Sequence, residues 1–406
     1  MKNYFKYLIL LLLITFLSCF DNSWNSHRST AEFNYKTPDE INSFLDRVKS
    51  DYPDITSVET VGYSESGREI RAIIISDNPG TLEGEPAVRL TGGIHGDETA
   101  GMELLVKFIE YLTANYSTNS TVNDLVNSRY ICIIPLLNPD GRAANTRYNS
   151  NGVDLNRNFN DTGNHWTAGT RHGESAFSES ETKALRDYSL TKSFNISITY
   201  HVGAVLVNMP FDYGSEDDGI YPVQYDLVKS FAKKYTKAGT FLSDPDLYNS
   251  PYMDEGAING GDWYVAYGTL QDWSYTETGC LDLTIEVADD NPGTEAGIQQ
   301  IFSYNRDSLT AYIDKAEEGV YGKVTDSSSG NPVSNVEITV SWDLSGSTVT
   351  GDLVMKTDTN GNYNMILLPG TYNVTYSNGS YQPKTLTVEI TENDKTVNQD
   401  LTLTPL

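Results

Sequence analysis

The chain has 406 residues, of which 38% are hydrophobic and 20% charged, with 27 Tyr and 5 Trp. Such a composition excludes wholesale disorder, and the length exceeds the roughly 250–300 residues at which a single core stops growing, so two domains are expected. A formal net charge of −27 argues against a nucleic-acid partner and favours the approach of cationic ligands through a long-range field, although a solvated acidic surface that aids solubility explains the same number.

Lys2 and Lys6 precede the apolar run Leu8 to Leu17, which is too short for a comfortable membrane span and has the layout of a secretory signal. Residues 1–19 are therefore expected to be a leader that exports the chain to the cell envelope or beyond. The run ends in Phe16-Leu17-Ser18-Cys19. It resembles a bacterial lipoprotein cleavage site, with Cys19 as the residue that would carry the lipid anchor. Phe16 stands where Leu is usual, so cleavage without a lipid is the alternative. Residues 20–32 are polar and read as a tether. No pro-segment lies between Cys19 and Phe33, and a product active on export is expected.

The spacing of Ile41, Phe44, Leu45 and Val48 behind Thr37-Pro38 predicts an amphipathic helix over 38–52. Apolar runs at 70–75, 87–90, 130–137, 196–200 and 281–287 read as buried strands, and helical patterns lie at 99–115, 179–190, 222–238 and 295–317. Strands alternating with helices predict an α/β domain, a sheet with helices on both faces, over 33–318. Cys132 and Cys280 lie in apolar, strand-like surroundings and read as buried free thiols, while export would permit a disulfide. From Val320 the texture changes to short β-rich runs separated by turn clusters such as SSSGNP (327–332) and DTNGNY (358–363). Residues 319–406 are therefore expected to form a small all-β sandwich. It holds no cluster of His, Cys or carboxylates that would carry chemistry.

Gly93-Ile94-His95-Gly96-Asp97-Glu98 follows the strand 87–90 directly and precedes a helix. An imidazole and a carboxylate three residues apart in such a turn can meet at one metal ion, with Gly96 keeping the way clear. Alone, an H-x-x-E pair is more often a capped turn. A third ligand should come from a neighbouring strand end, and His201 closes the strand 196–200; a satisfied histidine at a strand end is an equal reading. His27, His165 and His172 read as solvated. Asp154-Leu155-Asn156-Arg157-Asn158-Phe159, with Arg147 upstream, offers arginine forks suited to a carboxylate or a polarised carbonyl; the alternative is an Asn-rich turn with surface arginines. Glu286, between Ile285 and Val287, is expensive to bury unpaired. It suits a group that moves a proton beside a metal, or a partner for a core arginine.

Together these residues resemble the M14 metallocarboxypeptidases, and among them the subgroup of carboxypeptidases N, E, M and D. The resemblance runs from about Phe33 to Ala316 and rests on HGDE (95–98), NPDG (138–141), DLNRNF (154–159), HVGAVLVNMPFD (201–212), QDWSY (271–275) and LTIE (283–286). It implies a mixed sheet of carboxypeptidase type and one zinc ion per chain, on His95, Glu98 and His201. It also implies Glu286 as general base and acid, Arg147 on the scissile carbonyl, and Asn156 and Arg157 on the substrate's terminal carboxylate, with Tyr264 closing over it. Asp212 and Gln271 stand where this subgroup lines a pocket for C-terminal Arg or Lys, so peptides or proteins with basic C-termini are the expected partners. Val202 and Ala288 depart from the subgroup, which often has Gly and Cys there. Residues 319–406 resemble its transthyretin-like sandwich. A murein stem-peptide peptidase, with diaminopimelate in the Asp212 pocket, is the nearest enzymatic alternative. A dead, tethered binding module is the alternative of another class, and the full set of ligands, base and clamp speaks against it. Oligomeric state is not legible; a monomer is expected.

Overall fold

The computed structural model describes residues 33–222, 224–341, 352–392 and 396–406. The expected leader, lipidation site and tether lie outside the described residues. Among the described residues no helix is long and apolar enough to cross a membrane.

The first domain is built on eight strands: β1 (Thr56–Tyr63), β2 (Glu69–Ile75), β3 (Ala87–Thr91), β4 (Tyr130–Ile134), β5 (Ile196–His201), β6 (Ala204–Met209), β7 (Ala257–Asn259) and β8 (Leu281–Ala288). They form one mixed sheet in the order β1-β2-β4-β3-β5-β8-β6-β7. Strands β4, β3, β5 and β8 run parallel, whereas β2 and β6 pair antiparallel to β4 and β8. Strands β3, β4 and β5 are buried along their whole length, as mainly apolar strands must be when both faces of the sheet are covered.

Successive side chains point to opposite faces of a strand, and two separate cores result. Ile131 and Ile133 join the core under helices α1 (Pro38–Asp51) and α2 (Thr99–Asn115), whereas Tyr130, Cys132 and Ile134 join the one under helix α5 (Ser180–Lys192). The remaining helices are α3 (Ser120–Ser128), α4 (Pro139–Ala144), α6 (Tyr225–Ala238), α7 (Gly260–Trp263), α8 (Leu270–Thr278) and α9 (Glu295–Asp314). Helix α1 carries the expected start signal, since Thr37 Oγ1 accepts from the Glu40 N–H and Glu40 returns the bond to the Thr37 N–H. Cys132 and Cys280 are both buried and free.

A charged row crosses the middle of this sheet. Arg89 on β3 lies in register with Ser197 on β5, which lies in register with Asp282 on β8. Arg89 Nη2 donates to both, at 3.1 Å to Ser197 Oγ and 2.8 Å to Asp282 Oδ2. Neither ion is exposed, and Asp282 Oδ1 has no partner among the described residues. Arg89→Met would strand a buried carboxylate and is expected to lower stability by about 3–5 kcal/mol in denaturant titration. The double change with Asp282→Leu should recover most of that loss.

From Gly319 the chain forms a two-layered β unit. One sheet has the order β11 (Asp352–Lys356), β10 (Glu337–Ser341), β13 (Gly370–Ser377) and β14 (Lys384–Ile390), all antiparallel. The other joins β12 (Asn362–Met365), β9 (Gly319–Asp326) and β15 (Thr396–Asn398), with β16 (Leu401–Leu403) also on β9. Val320, Val324, Ile338, Val374 and Tyr376 fill the space between the sheets, as expected of a transthyretin-like sandwich. It meets the first domain through backbone carbonyls: Gln224 Nε2 donates to Ile366 O at 3.3 Å, and Asn195 Nδ2 to Asn364 O.

Candidate active site

After β3 the chain next lays down β4 on one side and β5 on the other. The crevice left at the carboxyl ends of such strands is where open α/β sheets bind ligands. His95 and Glu98 occupy the turn leaving β3, His201 ends β5, and Glu286 lies opposite His201 in register on β8. Gly96 serves this turn in a way the sequence does not reveal. A Cβ there would stand 2.0 Å from the Gly141 carbonyl carbon, so the missing side chain lets α4 press against the turn from behind.

Donor atoms of His95, Glu98 and His201 lie within 4.8 Å of one another. His95 Nδ1 is 2.7 Å from Glu98 Oε1, His201 Nδ1 is 2.9 Å from Glu98 Oε2, and the two Nδ1 atoms are 3.1 Å apart. Tetrahedral zinc with bonds of about 2.0–2.1 Å sets its donors roughly 3.3 Å apart, so the spacing and the N/N/O chemistry fit that ion. Burial would pull the His95 imidazole down, but the Glu98 and Asp154 carboxylates outweigh it and push it up to about 9. Glu98 is held well below the usual carboxylate range despite its burial, by His95 and His201. At His201, by contrast, burial wins and pushes the imidazole down, which favours the neutral ring.

Asp154, not singled out in the sequence, completes this shell. Its Oδ1 meets His95 Nε2 at 3.0 Å and its Oδ2 accepts from Arg147 Nε at 2.8 Å, while Arg147 Nη1 also donates to Glu98 Oε1 at 2.9 Å. A carboxylate on the far nitrogen of a histidine fixes its ring and tautomer. The acid at the start of DLNRNF was a visible signal, but its partner lies 59 positions away.

Nine of the ten residues singled out from the sequence line one cavity of about 220 Å³: the three donors with Arg147, Asn156, Arg157, Asp212, Tyr264 and Glu286. Glu286 is 6% exposed, and its Oε2 has no partner among the described residues. Burial, reinforced by the Glu98 carboxylate, pushes it up to about 8. Asn156 Oδ1 accepts from the Leu270 N–H at 2.9 Å, which leaves its Nδ2 as the group available to a ligand. Tyr264 is 48% exposed at the mouth.

Gln271 differs from expectation. It does not line the cavity but sits behind Asn208, to whose Oδ1 its Nε2 donates at 3.4 Å. Asn208 Nδ2 in turn donates to Asp212 Oδ1 at 2.9 Å. Gln271 therefore reaches Asp212 only through Asn208, a residue that the sequence presents merely as one polar position in the buried strand β6. Burial raises the Asp212 carboxyl, and burial beside Asp212 raises Asp272 further; both Asp272 oxygens accept from the Asp212 N–H at 3.0 Å.

Residues 41–311 match the zinc carboxypeptidase family, and residues 319–404 the carboxypeptidase regulatory-like domain. The chain belongs to the zinc carboxypeptidase family. It is 35% identical over 375 residues to carboxypeptidase D of Anas platyrhynchos, covering 88% of this chain but only 26% of that protein; the chain thus spans about a quarter of this relative. Similarity to the carboxypeptidase N catalytic chain of Rattus norvegicus, 30% over 392 residues, covers 88% of this chain and 83% of that one. The fold matches the crystal structure of carboxypeptidase A from Helicoverpa armigera with a TM-score of 0.58 at 21% identity, over 72% of this chain and 77% of that one. Zinc is the metal of this family, and the His-Glu-His cluster is chemically suited to it.

Proposed function

We propose that this protein is a zinc metallocarboxypeptidase that removes the last residue of peptides or proteins, with preference for Arg and Lys. The observation that carries the reading is one cavity joining the His95, Glu98 and His201 donors, the unpartnered Glu286, the Arg147 and Arg157 cations and a buried Asp212. When bound, zinc supplies a Lewis acid that polarises a carbonyl and lets water attack at neutral pH. Glu286, buried in the cavity wall with a free oxygen, takes the proton of the attacking water and passes it to the leaving amine. Arg147 donates to the oxygen on which charge develops. Arg157 and the Asn156 Nδ2 grip the terminal carboxylate, and Tyr264 covers it from the mouth. Catalytic service from a carboxylate at such a position needs no further acid.

Asp212 supports the preference for a basic side chain. A buried carboxylate that gains a guanidinium or ammonium partner is favoured over one left facing an alkyl group, because the unpaired charge stays desolvated. The test is a series of short peptides differing only in the C-terminal residue, Arg, Lys, Leu or Glu, run beside murein stem peptides. Arg and Lys should be released fastest, with kcat/KM at least about 10²-fold above Leu. A flat profile would remove the basic preference, and no release from any peptide by the zinc-loaded protein would remove the enzymatic reading.

A further inference from the structure

Helix α2 begins immediately after a metal donor, and this creates a conflict. The first N–H groups of a helix have no partner within it and are normally taken by the side chain of the residue at its start. That residue is Glu98, which makes no such bond, and no acidic residue occupies the first turn. Both Glu98 oxygens are committed elsewhere: Oε1 to His95 and Arg147, Oε2 to His201 and the Val202 N–H. The carboxylate cannot serve the cluster and its own helix together.

Asn291 resolves this from across the fold. It lies in the loop five positions past Glu286, and its Oδ1 accepts from the Thr99 N–H at 2.8 Å and the Ala100 N–H at 2.9 Å. Its Nδ2 donates to Asp97 O at 2.7 Å, pinning the turn on the other side of Glu98. The loop is itself held in place, since Tyr35 Oη donates to Pro292 O at 2.6 Å and the Phe33 N–H to Gly293 O at 2.9 Å. We infer that Asn291 is a positioning residue that caps helix α2 in place of Glu98 and so frees Glu98 to act as a metal ligand. Without Asn291, the bare N–H groups and the positive end of the helix are left to Glu98, the residue at the helix start, and draw its carboxylate back from the cluster. The inference rests on the zinc assignment proposed above.

The test is zinc affinity of the full chain, measured by competition with a chromogenic chelator and independent of turnover. Asn291→Ala should weaken zinc by about 10–100-fold, the usual effect of losing a partner that orients a ligand. Asn291→Asp keeps the Oδ1 acceptor for the two N–H groups and loses only the Nδ2 bond to Asp97 O, so it should restore most of that affinity. Asn119→Ala is the control: it removes the same kind of cap, Asn119 Oδ1 on the Val122 N–H, from helix α3. It should lower the melting temperature and leave zinc affinity unchanged. Zinc held by Asn291→Ala as tightly as by the parent would overturn the inference, as would equal loosening by Asn119→Ala. A parent chain that takes up no zinc would instead overturn the reading of the site.

Discussion

Replacing Glu286 by Gln should lower kcat by about 10²–10⁴-fold, the range expected for loss of a positioned proton-transfer group, while zinc content stays at one per chain. Gln keeps the shape and remains neutral, so the change removes the proton acceptor and little else. Glu286 is buried on β8 with a free oxygen, and no donor among the described residues competes for it. The pH dependence supplies a second readout. Burial and Glu98 push this carboxyl up to about 8, with His95 and Arg147 pulling the other way; a bound dication pulls it down further. A base must be ionised to work, so kcat/KM should rise with pH through a limb lying below about 8, and Glu286→Gln should lack that limb. A Gln variant as fast as the parent would show that another group moves the proton.

Much of this site is readable without a structure because its parts are local. His95 and Glu98 share one turn, and the apolar runs before His201 and Glu286, rich in β-branched residues, read as buried strands, which places both residues near strand ends. What escaped depends on distant or subtle context. Strand β1 is half-exposed at the sheet edge, with mixed burial and no clean alternation, so nothing in its sequence marks it. Strand β6 is buried throughout, and a short continuous apolar run cannot be told from a piece of buried helix by periodicity. Asp154, Asn208 and Asn291 are ordinary polar residues in sequence. Each gains its role from a contact: Asp154 with His95, Asn208 between Asp212 and Gln271, and Asn291 with a helix end 192 positions away. Gln271 shows the converse, since its position in the chain pointed to the pocket wall while its side chain stops one residue short.

Asp212→Asn should lower kcat/KM for peptides ending in Arg by about 10²- to 4 × 10³-fold and leave those ending in Leu unchanged or improved. The magnitude follows from the ~3–5 kcal/mol lost when one member of a buried ion pair is removed, at about 1.4 kcal/mol per tenfold. Asn retains the size of Asp and can still meet Asn208, so the pocket keeps its shape and loses its charge. Asp272 cannot take over the role, because both its oxygens face the Asp212 N–H. Acidity should act in the same direction. Burial raises the Asp212 carboxyl, and a cation bound beside it would favour the ionised form. Affinity for the basic side chain should therefore fall as the pH drops and Asp212 takes up a proton. A guanidino inhibitor titrated across pH against the parent and Asp212→Asn separates this from the zinc site: only the parent should show the Asp212 limb. Equal affinities for the two proteins at every pH would mean that the basic side chain is held somewhere other than Asp212.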